Sequence, residues 1–109
     1  MSDVRTERCQ AMRPAILELI GLAPQLLGSR DILGRFTELA NDLLRIHALG
    51  ADGIEDPAYR AWISDGGRAL RALRDAAAAG DRKAAFAAYG GQDGAMFPIG
   101  QGCSGTPGF

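Results

Sequence analysis

The stretch DPAYRAWISDGGRALRALRDAAAAGD, residues 56–81, decides the fold class. Asp56 is an N-cap residue whose carboxylate can accept the unpaired N–H groups of a first turn. Pro57 follows at a position where its missing donor does no harm. From there Tyr59, Trp62, Ile63, Gly66, Ala69, Leu70, Leu73, Ala76 and Ala77 recur at spacings of three and four. That pattern lays one apolar face along a helix of about six turns. Gly80 ends it, and Asp81 caps a further helix through Ala84, Ala85, Phe86 and Tyr89, which Gly90 and Gly91 break. The aromatic residues Tyr59, Trp62, Phe86 and Tyr89 are expected in the core.

Upstream, Ile32, Phe36, Leu39, Ala40, Leu43, Ile46 and His47 form the stripe of a second helix, with Ser29 or Asp31 as its cap and Gly50 as its stop. A first helix starts near Asp3 and ends before Gly28. Met12, Ile16, Leu19, Ile20, Ala23 and Leu27 face inward, and a kink or a restart is expected at Pro14, which removes a backbone hydrogen bond. No segment alternates β-branched and polar residues as a strand would. Four helical segments with short connections predict an all-α, antiparallel up-down four-helix bundle with a short fourth helix. The domain division is a helical bundle over residues 1–89 and a Gly-rich C-terminal tail over residues 90–109. Those last twenty residues hold seven of the fifteen glycines and one charged residue, Asp93.

Composition narrows function without assigning it. A chain of 109 residues is one small domain. Its formal charge of −1 excludes the basic footprint of a nucleic-acid binder. No apolar run reaches the roughly 18 residues of a membrane span. The charged N-terminus lacks a secretory signal core, so the expected location is cytoplasmic, or periplasmic only if a signal has been removed. Cys9, Cys103 and His47 are the only cysteines and histidine, too few for a zinc site or a disulfide framework. Glu55 and Asp56 have no histidine or lysine beside them to split their acidities. Gly66-Gly67-Arg68 lacks the preceding strand of a phosphate loop. No nucleophile–base pair, metal cluster or cofactor loop can be assembled, so the chain reads as a non-enzyme.

Cys103 is an attachment point, a redox thiol activated by Arg8 or Arg13, an inert thiol, or one half of a disulfide with Cys9 if the tail folds back. His47, at a helix end, is a cap and dipole partner or, less commonly, a haem or metal ligand.

Several residues stand in an order that resembles cytochrome c prime and its c556-type relatives. Arg8 and Met12 in helix 1 match residues that border the haem in that family. Trp62-Ile63-Ser64-Asp65, leading to Ala76-Ala77-Ala78-Ala79-Gly80-Asp81, is similar to its third helix. Cys103 stands at the first cysteine of the family's Cys-x-x-Cys-His motif, with Phe109 beyond it. The resemblance implies Arg8, Met12 and Cys103 as cofactor-binding positions, haem as the cofactor, and a homodimer formed through helices 1 and 2. Thr106 replaces the second cysteine and Pro107 the histidine. Threonine forms no thioether and proline offers iron no donor, so no cofactor is held in the family's standard way. A single thioether through Cys103, or haem held by Met12 or His47, are the routes left.

Two functions follow as expectations. The first is a bundle of this kind that has lost its haem motif and serves as a binding or scaffold protein, with electron transfer or gas binding only if haem is kept. The alternative is a ribosomal peptide precursor. Its helical leader would end at Gly90-Gly91, and a modifying enzyme would act on Cys103, Ser104 and Thr106.

Overall fold

A computed structural model describes residues 3–29, 31–91, 93–107 and 109. All regular structure in these residues is helical: α1 (Val4–Leu22), a 3-10 turn (Ala23–Leu27), α2 (Leu33–His47), α3 (Pro57–Ala61), a π-helical turn (Trp62–Gly66), α4 (Gly67–Ala78), α5 (Arg82–Tyr89) and α6 (Met96–Gly102).

The helix boundaries follow local chemistry. The carboxylates of Asp3, Asp56 and Asp81 accept from the backbone N–H groups of Thr6, Tyr59 and Ala84 at 2.7, 2.9 and 3.0 Å, giving α1, α3 and α5 capped starts. Gly80 adopts φ +78° after α4. Its N–H bonds to the Ala77 carbonyl and that of Asp81 to the Ala76 carbonyl, the paired closure that a left-handed glycine allows. Helix α2 starts differently from expectation. Ser29 Oγ accepts from the Asp31 N–H at 3.1 Å, a local turn, and Ile32 occupies the N-cap with no side-chain cap bond.

Pro14 does not kink α1 into two pieces; the helix runs through it. Pro14 and Gln10 are both exposed, so the Gln10 carbonyl that loses its partner faces water, and the helix tolerates the missing bond. Residues 56–78 do form one rod, but its register slips in the π turn. The inward face then passes through both Gly66 and Gly67 before reaching Leu70, Leu73 and Ala77.

The core joins Met12 and Leu19 of α1, Leu26, Phe36, Leu39 and Leu43 of the next two elements, Trp62, Leu70 and Leu73 of the central rod, and Ile99 of α6. Helix α2 packs on α1 and α4, α5 packs on α4 and on the 3-10 turn, and α6 packs on α3 and the π turn. Two inward expectations fail. Ile20 is 50% exposed, while Leu26, in the tighter 3-10 turn, is buried in the core. Phe86 is exposed as well. Tyr89 meets Phe36 edge to face, whereas Trp62 packs edge to face on both Tyr59 and His47.

The C-terminal segment is not a free Gly-rich tail. Residues 96–102 are helical, and Ile99, Gly102, Cys103 and Thr106 are buried. The division at residue 90 therefore separates two parts of one core.

Candidate functional site

The residues singled out by the sequence converge where α1 meets the C-terminal segment. Cys9 and Cys103 form a disulfide with their Cα atoms 5.7 Å apart, across 94 positions of sequence. Polar contacts reinforce it from successive turns of α1. The Arg5 guanidinium donates to the carbonyls of Gly102 and Ser104 at 2.9 and 2.7 Å, and Gln10 Nε2 donates to that of Pro107 at 2.9 Å. Arg8 instead donates to the Gly50 carbonyl at 3.0 Å, holding the loop after α2. One short stretch of α1 thus fixes both the 48–56 loop and the chain beyond α6.

Arg8, Met12 and Cys103, the positions the resemblance implies, are each committed to other partners. The Cys103 sulfur is bonded to Cys9, so it carries no free thiol for attachment or for redox activation by Arg8 or Arg13. Met12 is fully enclosed in the core, and Arg8 is engaged with the backbone of Gly50. Thr106 is buried, 4% exposed, and brings no sulfur. His47 directs Nε2 at the Trp62 carbonyl, 3.2 Å away, with its ring edge-on to the indole at 5.0 Å. It ends α2 with its ring nitrogen donating to a neighbouring backbone carbonyl. Covalently attached haem needs a free cysteine sulfur, and any haem needs an open slot and an axial donor. These residues do not fit it. Among the described residues, no group of three or more His, Cys, Asp or Glu side chains is placed to hold a metal ion.

Of Cys103, Ser104 and Thr106, only Ser104 is exposed.

Among the described residues, Tyr59 Oη, Trp62 Nε1 and Thr106 Oγ1 are buried without a hydrogen-bond partner. Burial pushes the Tyr59 phenol above its ordinary value, and the positive charges of Arg8 and then Arg5 pull the other way. Trp62 forms part of a groove of about 340 Å³ with Asp65, Gly66, Asp93 and Gln101.

The feature the sequence did not reveal is an apolar trough of about 250 Å³ between α1 and the C-terminal segment. Ile16 and Ile99 form its floor and Leu17, Ile20 and Phe109 its walls, with Arg13 as its one charged lining residue. Leu17 and Ile20 are about half exposed, at 49% and 50%. The one sequence signal was Leu17, an apolar residue off the inward stripe of helix 1.

No family model matches the chain, and no match was found among curated proteins or solved structures. No helix of the described residues is long and apolar enough to cross a membrane.

Proposed function

We propose that this chain is a haem-free helical bundle of the cytochrome c prime kind, an up-down arrangement whose role is binding rather than catalysis. The observation that carries the reading is the Cys9–Cys103 disulfide. The cysteine matching the family's first haem-attachment position is joined to Cys9, so the sulfur that would anchor a cofactor instead ties the segment after α6 to α1. Arg8 and Met12, the other matching positions, serve the loop and the core.

The disulfide also favours maturation in an oxidising compartment over the cytoplasmic location expected from the N-terminus, because thiols are kept reduced in the cytosol. A docked α6 and a buried Cys103 favour this reading over a peptide precursor with a cleavable tail.

The test is expression with export and a complete haem-maturation system, followed by an absorption spectrum and an intact mass under non-reducing conditions. The expected protein has no Soret band and weighs two hydrogens less than the reduced chain. A covalent haem spectrum, or two titratable thiols in the native protein, overturns the proposal.

A further inference from the structure

Arg13 lines the apolar trough and takes part in none of the ion pairs among the described residues. Ile20, two turns further along α1, lines it too. An isolated guanidinium over an otherwise apolar channel complements a ligand with one anionic head and a hydrocarbon chain. Half-exposed Leu17 and Ile20, beside Phe109, also form the kind of apolar patch that marks a binding surface.

We propose that this trough binds a free medium-chain carboxylate, its head group on the Arg13 guanidinium and its chain lying over Ile16 and Ile99 between Leu17, Ile20 and Phe109. The length follows from helix geometry. Seven residues of α1 separate Arg13 from Ile20, about 10.5 Å along the axis. An extended chain advances about 3.5 Å per three bonds, so roughly nine bonds cover that distance. Decanoate is the matching probe. The inference deepens the binding reading above and rests on it. The disulfide is part of the site: it and the Gln10–Pro107 hydrogen bond hold the C-terminal wall against α1.

Calorimetric titration of the oxidised protein with octanoate, decanoate, dodecanoate and 1-decanol tests it. Affinity rises about fourfold per methylene from octanoate to decanoate, the free energy of burying a methylene converted to a ratio, and levels off at dodecanoate. Arg13→Gln weakens decanoate about tenfold and leaves 1-decanol unchanged. Ile20→Asp, at a half-exposed position, abolishes both, with circular dichroism confirming that the helices remain. Absence of decanoate binding at millimolar concentration overturns the proposal, as does equal loss of acid and alcohol in Arg13→Gln. A dimer in sedimentation that Ile20→Asp dissolves and decanoate does not compete with assigns the trough to a second copy and overturns it too. A haem-free protein that ignores decanoate refutes this site alone, while a Soret band refutes the haem-free reading.

Discussion

The pyrrole edge of Trp62 occupies the space that a side chain at residue 66 would need. A methyl group on Gly66 would stand 2.1 Å from Trp62 Cδ1 and 2.7 Å from Nε1, far inside van der Waals contact. The π turn brings residue 66 under the indole, so the glycine and the tryptophan are a matched pair. Gly66→Ala is expected to destabilise the protein by about 1–3 kcal/mol through overpacking. Gly67→Ala acts in the same direction, because its methyl meets His47 Cε1 at 2.7 Å. Gly34→Ala, in α2 with nothing within 4 Å, is expected to stabilise by about 0.4–1 kcal/mol. Urea unfolding of the three variants checks the opposite signs.

Cys9→Ser with Cys103→Ser removes a cross-link that closes nearly the whole chain. The chain-entropy model assigns a loop of this size about 4–5 kcal/mol, a large part of the about 5–15 kcal/mol that holds a small domain together. The expected outcome is a large fall in the denaturation midpoint, matched by the wild type under reducing agent. Hydrogen exchange is expected to speed up first in α6, which loses its covalent tie to α1.

Removing a cap tests the helix starts one at a time. Asp56→Ala and Asp81→Ala each leave a first-turn N–H without its carboxylate, that of Tyr59 and that of Ala84. Each is expected to cost about 0.5–2 kcal/mol, read as a shift in thermal midpoint. Conversion of Asp81 to Ser retains an accepting oxygen and is expected to recover most of the loss.

Two exposed carboxylates set the acid sensitivity of α1. The Thr6 N–H holds Asp3 below its ordinary value, and the hydrogen bonds from Arg35 do the same for Glu18. Both groups ionise more readily in the folded chain than in the unfolded one. Their contribution is complete above the ordinary carboxylate range and is lost as pH falls through the lower folded values. Unfolding midpoints are expected to hold steady from neutral pH to the top of that range and then decline. Glu18→Gln is expected to flatten part of the decline, and added salt to shrink the Glu18 share, since an exposed pair is screened. An unchanged slope in Glu18→Gln would refute the assignment.

Much of the local structure was legible because it depends on neighbours in sequence. Asp56-Pro57 marks the start of α3 and Asp81 that of α5, and Gly50 and Gly80 take the positive φ expected of stops. The resemblance singled out Arg8, Met12 and Cys103, which the fold places on the Gly50 carbonyl, in the core and in a disulfide. Their use was not legible. A cysteine reads the same whether it meets a haem, a second sulfur or nothing, until the fold places a partner 5.7 Å away.

Composition, caps and apolar spacing by themselves determined an all-helical chain with most of its helix boundaries, since each of those signals acts within one or two turns. Tertiary packing decided the rest. It turned Ile20 outward and Leu26 inward, slipped the register at Trp62, and folded a glycine-rich end with one charged residue into α6 against α3. The physical reason is range: a glycine-rich segment has little helical preference of its own. The burial of Ala95 and Ile99 against the core, the disulfide and the polar contacts of Arg5 and Gln10, all formed with residues distant in sequence, supply interactions that offset the entropy of ordering it.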